Sequence, residues 1–328
     1  MNYSNSCCPV EGNVLTKVLP ALLIFIFVLG VFANGLALWV FCYYVKSWKS
    51  STVFLFNLAL ADFLLLSALP FRATYYLSGM VWAFGDAFCR ISLFMLAMNR
   101  LGSIIFLTVI AVDRYLRVVY PHHHLNSMTA PKAACVAAGL WVINISLLGY
   151  MLDPKAFMLN DKQQCESFWI CRPMTAIVTM RKCIYFLSFC IPLSVILFCT
   201  ARIVSQLRER QLNKHSKIKR ALCFIIVVVF MFVVCFLPSN VTQLVIWTKL
   251  TSSWCCQTME NLTTLFYITI SLTYMNSMMN PVVYYFCNPT FKRIYNKVVR
   301  FSKIPVETDT REDKTQDTAS QTPSQLIN

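Results

Sequence analysis

Charge is scarce in this sequence. Only 13% of its 328 residues are Asp, Glu, Lys or Arg, where a soluble globular domain carries about 25%. The 57% that are hydrophobic come in long blocks rather than periodic stripes, which excludes a soluble protein and points to a membrane one. Several catalytic signatures are missing too. There is no His-Glu-x-x-His, no Gly-x-Ser-x-Gly and no pair of aspartates inside the apolar blocks, which argues against an intramembrane enzyme. The stretch 259–286 holds no Lys to carry a Schiff base, which argues against a retinal protein. No Cys-x-x-Cys knuckle appears, and His122, His123 and His124 are consecutive and cannot converge on one ion, so no metal site is expected. No internal repeat suggests an inverted-repeat transporter. A basic n-region before a short apolar core is also absent, so the first block is expected to act as an uncleaved signal-anchor.

What is present is seven apolar blocks of spanning length, at about 18–44, 52–77, 87–119, 131–152, 179–207, 218–247 and 259–286. Each exceeds the ~20 residues that a bilayer core requires. The expected architecture is an all-α bundle of seven transmembrane helices over 18–302, preceded by an outer segment 1–17 and followed by a polar, disordered tail over 303–328. Net charge is +15, but its basic residues cluster between the blocks, not on a face with interleaved aromatics, so nucleic acid is not the expected partner. Lys46 and Lys49, Arg114 and Arg117, the run from Arg202 to Arg220, and Lys292, Arg293, Lys297 and Arg300 all fall on one side if the N-terminus is outside. Arg172, Arg181 and Lys182 lie on the other side, where they would attract an anion. After Asn288-Pro289, Phe291, Ile294, Tyr295, Val298 and Val299 oppose the basic residues at helical spacing, as in a short amphipathic helix on the inner leaflet. Asn2-Tyr3-Ser4 fits an N-glycosylation site.

Seven of the fifteen cysteines fall outside: Cys7, Cys8, Cys89, Cys165, Cys171, Cys255 and Cys256. Cys89, at the head of the third block, and Cys165 are the best disulfide pair in that oxidising compartment. Cys7 and Cys8 would tie the N-terminus to Cys171 and to Cys255 or Cys256. Inside the blocks stand Asn34, Asp62, Asn99, Ser103, Asn276, Ser277 and Asn280, an acid and several oxygens. They suit a sodium ion, a hydrogen-bonded switch, or plain helix-to-helix contacts. Pro238 and Pro281 each remove a backbone hydrogen bond in mid-span and should create pivots.

The third block, 89–120, organises the chain. At 1.5 Å per residue Arg100 sits about 16 Å below Cys89 and about 21 Å above Arg114, deep in hydrocarbon, where a charge costs at least ~2.5–3.5 kcal/mol. Its planar guanidinium suits bidentate carboxylate binding, and Leu93, Leu96 and Ile104 share its helix face as apolar walls. An internal pair, for example with Asp62, is the competing reading.

These residues together resemble the rhodopsin-type (class A) G-protein-coupled receptors. The likeness rests on Gly30 with Asn34-Gly35, Leu58-Ala59-Leu60-Ala61-Asp62, Cys89, Asp113-Arg114-Tyr115, Trp141, Phe236-Leu237-Pro238 and Asn280-Pro281-Val282-Val283-Tyr284. The resemblance implies that Asp113, Arg114 and Tyr115 serve G-protein coupling. It also implies that Asp62, Asn99, Ser103, Asn276 and Asn280 form a sodium pocket, and that Phe236, Pro238, Pro281 and Tyr284 belong to the switch. Phe236 stands where Trp is commoner. A narrower likeness is to the hydroxycarboxylic acid receptor subfamily. It is carried by Leu96-Ala97-Met98-Asn99-Arg100, Cys165-Glu166-Ser167-Phe168 and Thr273-Tyr274-Met275-Asn276-Ser277-Met278. Cys7-Cys8, Pro70-Phe71-Arg72 and Trp82-Ala83-Phe84-Gly85-Asp86 lean toward its lactate-receptor branch. That likeness implies a small carboxylate on Arg100, completed by Leu96, Ser167 and Tyr274, with Arg72 and Glu166 nearby. An inhibitory-class heterotrimeric G protein at the plasma membrane, and arrestin on the tail, are the implied partners. No cofactor is expected beyond a modulating sodium ion. Gln243 departs from the subfamily, which commonly has a second Arg there. A receptor for oxo-eicosanoids and a monocarboxylate transporter are the alternatives.

Overall fold

Hydrocarbon offers a backbone no water, so each apolar block must satisfy its own N–H and C=O groups as a helix. In the computed structural model, which describes residues 13–153, 164–166, 176–209, 216–252 and 256–301, every regular element among the described residues is helical. Helix α1 spans Asn13–Tyr43, α2 Ser50–Leu77, α3 Asp86–Val119 and α4 Ala130–Leu148, which tightens into a 3-10 turn over Gly149–Leu152. Helix α5 runs over Ala176–Glu209. Helix α6 (Ser216–Met231), a π-turn (Phe232–Phe236) and α7 (Leu237–Ser252) follow one another without a break and make the sixth span. Helix α8 covers Cys256–Cys287 and α9 covers Pro289–Phe301.

Among the described residues six stretches are long and apolar enough to cross a membrane: Leu15–Tyr43, Ser50–Leu77, Asp86–Val119, Ala130–Leu152, Thr179–Gln206 and Ala221–Lys249. The seventh is α8, 32 residues long and packed against α1, α6 and α7. Helix α3 touches α2, α4, α5, α6 and α8 and so stands at the centre. Phe25, Phe32, Val142, Leu187 and Ile191 lie exposed on the outer faces of α1, α4 and α5. Apolar surface on that scale belongs against lipid. The first helix begins five residues ahead of the expected 18, the sixth span ends five residues beyond the expected 247, and the other ends fall within three residues of those expected.

Local chemistry explains the breaks. Asn288 ends the seventh span and caps the next helix: its Oδ1 accepts from the backbone N–H of Thr290 at 2.9 Å and of Phe291 at 3.2 Å, with Pro289 at the first helical position. Phe291 of α9 then packs on Phe41 and Tyr284, which holds this helix to the base of the bundle. The outer end of α3 is fastened by the expected disulfide, Cys89–Cys165, which closes 76 residues of chain. Cys7, Cys8, Cys171, Asn2 and the 303–328 tail lie outside the described residues, as does the side chain of Cys256.

The two mid-span prolines act differently. At Pro238 the sixth span accommodates the missing donor with the π-turn just before it, where the N–H of Leu237 reaches back to the carbonyl of Phe232. Span seven remains one helix through Pro281. Proline there cannot donate to the carbonyl of Ser277, four residues back. That carbonyl accepts instead from Asn34 Nδ2 at 2.9 Å, across from α1. Replacing Asn34 by Leu should therefore strand the Ser277 carbonyl and cost about 1–2 kcal/mol, read as a lower melting temperature of the purified protein. A Pro281→Ala change in the same background should restore most of it, because the N–H returns.

Candidate functional site

Three polar clusters lie along α3 at different depths. In the outer half, Arg100 is buried at 7% exposure. The ring of Tyr185 on α5 covers one face of its guanidinium, 3.8 Å from centroid to Cζ. Arg100 Nη2 donates to Asn240 Oδ1 on α7 at 3.5 Å, and Nε has no hydrogen-bond partner. Among the described residues no carboxylate pairs with it. In particular Asp62 does not, so the internal pair weighed above is absent. Leu93, Leu96 and Ile104 line the same helix face and are buried.

Arg72 on α2 shows the opposite arrangement. Its Nη1 donates to the Cys165 carbonyl at 2.6 Å, and Nη2 to Tyr76 Oη at 2.9 Å and to Glu166 Oε2 at 3.4 Å. The rings of Tyr75 and Tyr76 flank it at 4.8 and 5.1 Å. This cation is fully engaged, and with Glu166 it sums to zero charge. It also fixes the residues just after the disulfide against α2. Tyr274 on α8 is buried between the two sites, within electrostatic reach of Arg72, Glu166, Tyr185 and Arg100. Ser167 lies outside the described residues. Gln243, at the position of the departure noted above, is buried one turn from Asn240 on the same face.

The middle cluster centres on Asp62, which is fully buried. Its Oδ1 accepts from Ser277 Oγ at 2.6 Å and Asn99 Nδ2 at 3.2 Å, and its Oδ2 from Asn280 Nδ2 at 2.6 Å and Tyr284 Oη at 3.4 Å. Asn99 also donates toward Ser103 Oγ, at 3.5 Å. The amide oxygens of Asn99, Asn276 and Asn280 are left without partners. One carboxylate surrounded by neutral oxygens is a donor set that fits a sodium ion, and Asp62, Asn99, Asn276 and Asn280 would hold it. Among the described residues no cluster of His, Cys, Asp and Glu suits another metal.

At the inner end Asp113 is held mainly by Arg117 rather than by its neighbour. Arg117 Nε and Nη2 donate to its two oxygens at 3.0 Å each, and Ser51 Oγ adds a bond at 2.8 Å. Arg117 Nη2 also donates to Ser50 Oγ at 3.0 Å. Arg114 Nη2 stands 3.8 Å from the carboxylate, and neither it nor Nε has a hydrogen-bond partner, while the Tyr115 ring meets Tyr120 and Phe198. The i, i+4 spacing of Asp113 and Arg117 was a readable signal for that pair. Tyr185 and Asn240 carried no signal of a role at the site, since packing of α5 and α7 brings them to Arg100. Phe236 and Pro238 flank the end of the π-turn, and Pro281 and Tyr284 join the Asp62 cluster to α1, with Tyr284 Oη also donating to Asn34 Oδ1 at 3.2 Å.

Comparison with known proteins places the seven-helix fold in a family. Residues 33–284 match the model of the 7 transmembrane receptor (rhodopsin family). The chain is 48% identical over 297 residues to hydroxycarboxylic acid receptor 3 of Homo sapiens, covering 90% of this chain and 76% of that one. It is 48% identical to human hydroxycarboxylic acid receptor 2 (90% and 81% covered) and 46% to human hydroxycarboxylic acid receptor 1 (90% and 84%). Identities this close do not separate the branches of the subfamily. The chain belongs to the rhodopsin family of seven-transmembrane receptors, within the hydroxycarboxylic acid receptor subfamily, and is a receptor rather than an enzyme.

Proposed function

We propose that this receptor binds a small monocarboxylate at Arg100 and signals through an inhibitory-class heterotrimeric G protein to lower cyclic AMP. The observation that carries the reading is a buried guanidinium that no carboxylate among the described residues neutralises. A buried charge without a counter-ion is costly, and an anion from outside would supply one. The names of the relatives support the ligand class. Leu93, Leu96 and Ile104 give apolar walls suited to a short acyl chain, Tyr274 a phenol beside the anion, and Ser167 a further hydroxyl. Arg72 and Glu166 form the outer wall of the pocket. Because they cancel each other and Gln243 is neutral, Arg100 is the one unneutralised cation among these residues, which favours a monoanion over a dianion. Such a pocket suits lactate, 3-hydroxybutyrate or nicotinate, and the motifs around Arg72 and Trp82 favour lactate.

Arg114, with Asp113 and Tyr115 beside it, would meet the G protein when the sixth and seventh spans pivot at Pro238 and Pro281. In this reading the N-terminus faces outward at the plasma membrane and the 303–328 tail serves arrestin. Sodium at Asp62 would favour the inactive packing.

The test compares acids with their neutral amides. Cells expressing the receptor should lower cyclic AMP in response to one of lactate, 3-hydroxybutyrate or nicotinate, and not to lactamide, 3-hydroxybutyramide or nicotinamide. Equal responses to acid and amide would refute an anion site. A response only to a long-chain oxo-fatty acid would move the receptor to eicosanoids, and accumulation of labelled acid without G-protein activation would make it a transporter.

A further inference from the structure

Arg100 and the hinge of the sixth span share one side chain. Asn240, buried at 4% exposure, donates from Nδ2 to the carbonyl of Phe236 at 2.8 Å and accepts at Oδ1 from Arg100 Nη2 at 3.5 Å. Phe236 is the last residue of the π-turn Phe232–Phe236. Pro238, two residues later, has no N–H to give. The regular backbone ladder is interrupted here, and the Phe236 carbonyl also takes a hydrogen bond from Ser239 Oγ, at 3.0 Å. Such a turn is where a long helix bends.

A second set of contacts leads from Arg100 to the same five residues. Tyr185, which covers the guanidinium, lies one helical turn from Phe189 on α5. Phe189 stacks on Phe232 at 6.2 Å, and Phe232 meets Phe236 at 5.3 Å. Both the polar and the aromatic neighbours of Arg100 thus converge on the π-turn.

We infer that Asn240 tethers the π-turn of span six to Arg100, and that an incoming carboxylate acts by taking the guanidinium away from it. The inference rests on reading Arg100 as the carboxylate anchor. A neutral amide oxygen at 3.5 Å is at the outer limit of a hydrogen bond, whereas a carboxylate forms charge-assisted bonds of about 2.7–2.9 Å to the same group. The exchange favours the anion. It also supplies what any agonist needs, a higher affinity for one arrangement than the other. The ligand binds better where Asn240 has let go, and there the hinge has lost its link to span three.

Asn240→Val removes the tether. It should raise agonist-independent inhibition of cyclic AMP by about threefold to fifteenfold, the factor matching the measured range for one hydrogen bond between membrane helices, and it should shrink the further increment on adding agonist. Asn240→Asp replaces the amide by a resident carboxylate, which should lower basal signalling and reduce potency for the short acid by at least about tenfold. Ser239→Ala removes the other donor to Phe236 but not the link to Arg100, and should leave both readouts near wild type. Arg100→Ala, measured without ligand, should raise basal signalling as Asn240→Val does, and the double variant should add nothing further. All variants are compared at equal surface expression.

Basal signalling unchanged in Asn240→Val, or additive in the double variant, would overturn the tether. If the basal effects are shared but short-acid potency survives Arg100→Ala, the anchor reading fails while the tether stands.

Discussion

Arg100→Ala should lower potency for the short carboxylate by at least about thirtyfold while leaving the receptor as stable as before, or more so. The two effects have separate causes. Truncating one partner of a buried, hydrogen-bonded charge pair costs about 2–5 kcal/mol of binding, and tenfold in affinity corresponds to about 1.4 kcal/mol. Stability runs the other way because no carboxylate among the described residues offsets the charge when ligand is absent. A cation in hydrocarbon costs at least ~2.5–3.5 kcal/mol, and the contact with Tyr185 returns about 2 kcal/mol when desolvated. Lysine at the position keeps the charge but loses the fork, so Arg100→Lys should fall between the two in potency. The checks are concentration–response curves for inhibition of cyclic AMP and melting of the detergent-solubilised protein without ligand. A melting temperature that drops in Arg100→Ala, with potency intact, would make Arg100 a structural charge satisfied inside the bundle.

Much of this arrangement was legible in the residues. Spans could be counted because hydrocarbon permits little other than helices, and Arg100 could be picked out because a charge amid Met, Leu, Ile and Phe needs a reason. The Cys89–Cys165 bridge followed from compartment and position. Other features depend on which faces meet. Nothing in the chain around Tyr185 marks it as a cover for a cation eighty-odd residues earlier, since that contact exists only once α5 packs on α3. Asn240 reads in sequence as one more polar residue after a proline. Its Nδ2 reaches the Phe236 carbonyl four residues back as any helical Asn can, but its link to Arg100 exists only once α7 packs beside α3. The inner end shows the same limit: Asp113-Arg114-Tyr115 stands out as a motif, yet the carboxylate belongs to Arg117 and to Ser51 of α2. Arg72 and Glu166 could be placed near the pocket, but not their mutual engagement, which turns two candidate ligand contacts into one neutral unit.

That unit gives the second large effect. Glu166→Ala should destabilise the receptor by about 3–5 kcal/mol, because it leaves Arg72 buried and uncompensated. Arg72→Met should be at least as severe. It strips Glu166 of its counter-ion and takes the 2.6 Å hydrogen bond from the Cys165 carbonyl, so Cys165 and Glu166 lose their hold on α2. The double change Arg72→Met with Glu166→Leu should recover most of the loss, since an apolar pair of similar volume carries no desolvation cost. Melting temperatures of the three variants form the test, and their non-additivity is the signature of a pair. Ligand selectivity should move as well. With Glu166 gone the outer pocket has two unpaired cations, so Glu166→Ala should gain response to a short dicarboxylate such as succinate, while Arg100 still anchors the monocarboxylate. If instead Arg72→Met melts like wild type and loses short-acid potency as completely as Arg100→Ala, then Arg72 touches the ligand directly, and the pocket carries two working cations rather than one.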